Sequence, residues 1–252
     1  MQPHVSSIDL LRQLYPWPER PPSAAAVDWV MDYGGRDIIR EMIKTRKLSC
    51  VVEVGVFVGG SVRQWLELSP EIVVIAIDPW PQIQGANHYL DTHPVGSLHG
   101  AQLRDHDGLY NTFLATLWNQ RQRVIPMRGS GVEMLQILHD HGVQPDLVFI
   151  DADKQGAEIS VCNSLFPSAI VCGDDWLWSD GHRFPTQLPV RAAAKQQDRF
   201  LKCVSNTWVI DDRPWTFKER LIWLRGLPVE LVRRFTALRR SLRGRDSAGN
   251  PI

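Results

Sequence analysis

The sequence predicts an α/β protein with a doubly wound, mostly parallel sheet closed by an antiparallel hairpin. Three observations carry this expectation. Short continuous apolar runs (Cys50–Val54, Ile72–Ile77, Asp146–Ile150, Ser168–Cys172) suit strands buried on both faces of a parallel sheet. Stretches with helical periodicity separate them, as βαβ units require. Two of the runs are followed at once by aspartate, at Asp78 and Asp151, and a third after one glycine by Asp174-Asp175, and the carboxyl ends of strands are where open sheets bind ligands. The chain has 252 residues, 44% hydrophobic and 22% charged, which is an ordinary globular composition. Its 28 basic residues balance 28 acidic ones, so no nucleic-acid partner is expected of the chain as a whole. Four cysteines without a CxxC pair argue against a zinc site or a disulfide scaffold and suit a reducing compartment. No apolar run reaches the roughly 18 residues of a membrane span, so no transmembrane segment and a cytoplasmic location are expected.

Each element has its own signal. Prolines 3, 16, 18, 21 and 22 leave room only for a short helix at Ser7–Leu14 in an otherwise irregular arm. Ile38, Ile39, Met42 and Ile43 recur at helical spacing and predict a helix leading into the first strand, Cys50–Val54. A helix over Ser61–Leu68 and the strand Ile72–Ile77 complete a βαβ unit. Residues 79–107 show no clear period and hold His88, His93, His99 and His106; they predict an inserted loop or lid. Then follow helix Leu109–Trp118, strand Arg123–Met127, helix Val132–His139, strand Asp146–Ile150, helix Ala157–Leu165, strand Ser168–Cys172 and helix Pro189–Phe200. Leu201–Val204 and Thr207–Ile210, split by Ser205-Asn206, predict the hairpin. The sum is a Rossmann-like sheet.

The segment from Lys218 to Arg245 carries nine basic residues against Glu219 and Glu230. Leu231, Phe235, Leu238 and Leu242 share one helical face there, a packing face for the domain or for a second copy, so a homo-oligomer is left open. The expected division is an arm and lead-in helix (residues 1–46), a central domain (47–217) and a basic amphipathic tail (218–252).

The turn after the first strand reads Glu53-Val54-Gly55-Val56-Phe57-Val58-Gly59-Gly60-Ser61. Small residues there let a ligand approach the backbone, and the following helix offers free N–H groups to an anion. A dinucleotide fingerprint would need glycine where Phe57 stands, and there is no Walker lysine. Asp78, 25 residues after Glu53, can accept two hydrogen bonds from a ribose diol. The combination suits an adenosyl ligand with an amino-acid tail.

Over residues 47–210 the chain resembles the class I S-adenosylmethionine-dependent methyltransferases. The Glu53–Ser61 stretch is similar to their first motif, Ala76-Ile77-Asp78 to their ribose-binding position, and Gly129-Ser130 to a position that contacts adenine. The resemblance implies S-adenosylmethionine held by Glu53, Gly55, Gly59, Ser61, Asp78, Trp80, Ser130 and Asp151. Asp151-Ala152-Asp153-Lys154 followed by Asp174-Asp175 further resembles the metal-dependent O-methyltransferases of the catechol, caffeoyl-coenzyme A and macrocin types. That implies Mg²⁺ or another divalent cation on Asp151, Asp174 and Asp175, hard oxygen ligands as such ions prefer. Lys154 would be the general base, with Asp151 beside it, and the acceptor a hydroxylated small molecule. Asp175 in place of the asparagine of the catechol type, and Ala157 in place of the tyrosine of the caffeoyl type, weaken the phenolic expectation. The alternatives are an N- or C-methyltransferase without catalytic metal, and a non-catalytic cofactor-binding scaffold acting through its basic tail.

Overall fold

The structure is a computed structural model that describes residues 6–152, 156–179, 183–227 and 231, with His88 and Tyr89 described by backbone alone. Lys154, Asp153 and the expected tail helix, Leu231 apart, lie outside the described residues. The chain divides into two compact units, Met1–Met31 with Lys47–Asp146 and Asp32–Arg46 with Leu147–Ile252.

Seven strands form a mixed sheet in the order β3-β2-β1-β4-β5-β7-β6, consistent with the expected α/β fold. In the first unit, β1 (Cys50–Val54) pairs in parallel with β2 (Val73–Asp78), and β2 with β3 (Val124–Arg128). Every residue of β1 is buried. This follows from its composition, since a β-branched run on both faces is stable only where helices cover both. Helix α1 (Ser7–Leu14) is capped by the Ser6 hydroxyl, which accepts from the Asp9 N–H. The proline-rich arm after it is tied down by polar anchors. The Trp17 indole donates to the Val124 carbonyl at 2.7 Å, and the Val27 N–H donates to the Thr116 hydroxyl at 3.0 Å.

Helix α3 (Gly60–Leu68) follows β1. The segment expected to be an irregular lid instead holds α4 (His88–Thr92) and α5 (Pro94–Arg104). Pro94 stands in the first turn of α5, where its missing N–H costs nothing, and Val95, Gly100 and Leu103 are buried. The apolar positions are too sparse to show a period in the sequence. Next come α6 (Gly108–Leu117), a 3₁₀ turn at Trp118–Arg123 and α7 (Gly131–Asp140).

The second unit begins with α2 (Asp37–Thr45), which buries the predicted face of Ile38, Ile39, Met42 and Ile43. β4 (Leu147–Ile150) pairs in parallel with β5 (Ile170–Gly173). Helices α8 (Ala157–Leu165) and α9 (Gln187–Gln196) belong here, and the hairpin β6 (Phe200–Val204) and β7 (Thr207–Asp211) joins β5 in antiparallel register. Strand boundaries fall within two residues of expectation. Among the described residues no helix is long and apolar enough to cross a membrane.

One buried ionic network closes this unit. The Lys202 ammonium lies 2.7 Å from Asp211 and 2.9 Å from Glu219, and Arg46 reaches the same two carboxylates at 2.7 and 3.1 Å. Lys202 and Asp211 are fully buried, so each charge depends on its partners for solvation. Replacing Lys202 with Ala leaves Arg46 as the cation that two buried carboxylates share. We expect a loss of about 3–5 kcal/mol in chemical denaturation; a loss below about 1 kcal/mol, the value of an exposed pair, would contradict it. Buried Asp211, held by the Arg46 and Lys202 hydrogen bonds, and Glu219, held by the Thr216 N–H and Lys202, both have carboxyls below the ordinary range. Their stabilisation is therefore complete above the ordinary carboxylate range and is lost as pH falls through the depressed values. A melting temperature that does not fall on acidification would count against this.

Candidate functional site

In the first unit the expected cofactor residues surround the β1 turn. Gly55, Phe57 and Gly59 all have positive φ, at 87°, 53° and 85°. Glycine adopts this conformation freely, but phenylalanine pays about 1–2 kcal/mol for it. Asp78, at the end of β2, offsets that cost. Its Oδ2 accepts the Phe57 N–H at 2.9 Å and its Oδ1 accepts the Trp80 N–H at 2.7 Å. The Trp80 indole then donates to the Phe57 carbonyl at 2.7 Å. Both backbone groups of the strained residue are thus held, one by the last residue of β2 and the other by the indole two residues beyond it. Burial pushes the Asp78 carboxyl up from its ordinary value, and the backbone N–H donors oppose that shift.

Trp80 is fully buried and packs on Tyr110 and Phe113, with ring centroids 4.9 and 4.5 Å away. Its ring is enclosed by the chain itself, and its indole pins the turn. Glu53 is also fully buried. It accepts from the Ser61 hydroxyl and, at 2.7 Å, from the Trp65 indole. Glu53 and Ser61 therefore fasten β1 to α3 from inside. Gly59 precedes α3 without a side-chain cap, so this helix presents backbone N–H groups of its first turn. Ser130 is exposed at the start of α7 and its hydroxyl accepts the Glu133 N–H at 3.3 Å.

The acidic centre belongs to the second unit. Asp174 is 6% exposed, and both its carboxylate oxygens are engaged. Oδ2 receives Arg36 Nε at 2.8 Å and lies 2.6 Å from Arg36 Nη2, while Oδ1 accepts the Thr207 hydroxyl at 2.9 Å. The same Nη2 reaches Asp151 Oδ2 at 2.8 Å. Burial pushes the Asp174 carboxyl up, opposed by Arg36 and Thr207. Asp175 is half-buried with φ of 65°. A pocket lies against this centre, lined by Asp151, Asp174, Asp175, Thr186, Ile159 and Trp208 among others. Thr186 is only 3% exposed, and its hydroxyl has no hydrogen-bond partner among the described residues.

The structure brings Asp151 and Asp174 together as the sequence led us to expect, but with a guanidinium between them. A dication on these oxygens would stand against Arg36, or displace it from its partners at a cost of about 3–5 kcal/mol, the value of a broken buried pair. The expected Mg²⁺ does not fit the carboxylates in this arrangement. Among the described residues no group of three or more His, Cys, Asp or Glu side chains is placed to hold a metal ion. Sequence reasoning missed Arg36 because it lies 115 and 138 positions from its two partners. The available signal was Gly34-Gly35 just ahead of it, a pair that breaks the chain at the start of a helix.

No family profile and no curated protein matches the chain. Solved structures do. A provisionally assigned caffeoyl-CoA O-methyltransferase from Staphylococcus aureus aligns with a TM-score of 0.50 and 16% identity, over 82% of this chain and 93% of that one. The O-methyltransferase TomG from Streptomyces achromogenes, in complex with SAM, aligns at 0.48 and 15% identity, over 79% and 84%. The SAH-bound methyltransferase PaMTH1 from Podospora anserina aligns at 0.47 and 15%, over 70% and 76%.

If Asp78 holds the turn, Asp78→Ala should accelerate amide exchange at Phe57 and Trp80 selectively. It should also destabilise the protein by about 1.5–3 kcal/mol per charge-assisted bond lost, before any compensation by water. Unchanged exchange at Phe57 would remove this role. The likeness to the S. aureus structure, at an identity this low, is one of fold, and the fold this chain has is that of the class I S-adenosylmethionine-dependent O-methyltransferases.

Proposed function

We propose that the protein is an S-adenosylmethionine-dependent methyltransferase that transfers a methyl group to a hydroxyl of a small molecule. The observation that carries the reading is the strained Gly55–Gly59 turn, clasped by Asp78 and leading into the uncapped first turn of α3. This is more structure than a bare strand-to-helix connection needs. Strain of this kind persists at ligand sites because binding uses the shape it creates. In this reading Asp78 accepts the ribose hydroxyls with its remaining lone pairs. The α3 N–H groups and helix dipole take the carboxylate of the amino-acid tail. Gly55 and Gly59 let the ligand lie on the backbone, and Ser130 contributes at the adenine side. Glu53 and Ser61 act through the turn they fasten.

When bound, S-adenosylmethionine supplies a sulfonium methyl group open to in-line displacement. The chain's own residues align the acceptor and take its proton. Asp151, with a side chain 30% exposed and held by Arg36, lines a small pocket beside Asp175, and in this reading the acceptor is received at its mouth. Lys154, three positions beyond Asp151, is assigned as the base that removes the acceptor proton. No step is given to a divalent ion.

S-adenosylmethionine at about a hundred times its dissociation constant should raise stability by about 2.7 kcal/mol, and Gly55→Val, if folded, should abolish that gain. No thermal or calorimetric response to S-adenosylmethionine or S-adenosylhomocysteine would refute the reading. With an acceptor found from a panel of hydroxylated small molecules, Lys154→Met should lower turnover by about 10²–10⁴-fold and leave cofactor affinity unchanged. Full turnover would reassign the base.

A further inference from the structure

We propose that Arg36 is the resident cation of the acidic centre: its guanidinium occupies the place a divalent ion would take between Asp151 and Asp174, and acts as the positioning residue that aims Asp151 at the acceptor. The proposal rests on the methyltransferase reading for the meaning of the pocket, but not for the geometry.

Three features show a built arrangement. Arg36 is 3% exposed, and its guanidinium carbon lies 4.9 Å from the centre of the Phe149 ring, so one face is held by an aromatic surface. Its planar fork uses two nitrogens on Asp174 and shares one with Asp151, a bridging geometry that the point charge of a lysine does not reproduce. The backbone that delivers it is equally specific. Gly34 and Gly35 have φ of 93° and 106°, and a Cβ at Gly35 would stand 1.9 Å from the Val204 carbonyl oxygen. The Gly34 carbonyl accepts the Asn206 N–H at 3.1 Å, which seats this segment on the β6–β7 turn. That turn also supplies Thr207, the donor to the other oxygen of Asp174. The Gly-Gly-Arg segment and the hairpin thus converge on one carboxylate and satisfy it completely.

A divalent ion and this guanidinium compete for the same oxygens with the same sign of charge. Asp174 is therefore an anchor for Arg36. Asp151, the more exposed of the pair, is the carboxylate that meets the pocket.

The test is calorimetric titration with Mn²⁺, followed by S-adenosylmethionine, of the full-length wild type, Arg36→Ala, Arg36→Lys and the Arg36→Ala/Asp174→Asn double variant. The wild type should show no saturable Mn²⁺ binding, and its transfer activity should be indifferent to EDTA. Arg36→Ala leaves two carboxylates without their cation and should gain saturable Mn²⁺ binding, which the double variant should lose. With acceptor, Arg36→Ala should lose at least tenfold in kcat with a smaller change in KM, and methylguanidine should restore part of it. Saturable Mn²⁺ binding to the wild type that Asp174→Asn abolishes would overturn the proposal even if Arg36→Ala does not fold. So would a folded Arg36→Ala with unaltered kcat. Arg36→Lys should keep the wild-type indifference to Mn²⁺ but not its kcat, and full kcat in that variant would also count against a bridging fork. Absence of S-adenosylmethionine binding in the wild type would instead refute the methyltransferase reading and leave the Mn²⁺ result interpretable by itself.

Discussion

A guanidinium removed from water must find acceptors for its donors, and the second unit is organised around one whose Nε and Nη2 reach two carboxylates. Arg36 ties the lead-in helix α2, the end of β4 and the end of β5 into one ionic knot, and the hairpin closes it from the far side through Thr207. Burial makes these contacts interdependent. Removing Arg36 would leave the buried Asp174 carboxylate without its cation. A second knot, Lys202 with Arg46, Asp211 and Glu219, does the same for the outer edge of the sheet. The two together explain why an antiparallel hairpin and a helix from early in the chain belong to a single compact unit.

The first unit works by a different economy. There the constraint is backbone shape: a turn with a phenylalanine in the left-handed region, stabilised by a carboxylate and an indole at the end of the neighbouring strand. Asp78 has two duties under the proposed function, fixing the turn and meeting a ligand. The first of them explains why a carboxylate is needed even in the empty state. Burial penalises its charge, and the N–H groups it receives offset part of that penalty.

The parallel strands were legible because strands buried on both faces are mostly apolar; Leu147–Ile150 is apolar throughout and Cys50–Val54 is broken only by Glu53. The hairpin was legible from the polar break at Ser205-Asn206. Helices α4 and α5 were not, because their few buried positions, such as Val95 and Leu103, sit among glycine, histidine and polar residues that mask the period. In the site, Asp78 could be picked out from its place at a strand end. That Trp80 is interior could not, since an indole after a strand reads the same whether it faces a ligand or the core. The metal expectation depended on carboxylates alone. Charge at a strand end says nothing about its partner, and Arg36 comes from a helix start remote in sequence, where only the preceding glycines mark something unusual.

The central claim is that the acidic centre is completed by an arginine rather than by a metal, in a chain proposed to bind an adenosyl cofactor. The most direct measurement is anomalous diffraction at the manganese edge from crystals grown with S-adenosylhomocysteine and Mn²⁺. The account predicts ligand density along the Gly55–Gly59 turn beside Asp78, Arg36 bridging Asp151 and Asp174, and no anomalous peak between those carboxylates. A manganese peak ligated by Asp151 and Asp174, with Arg36 displaced from both, would contradict it.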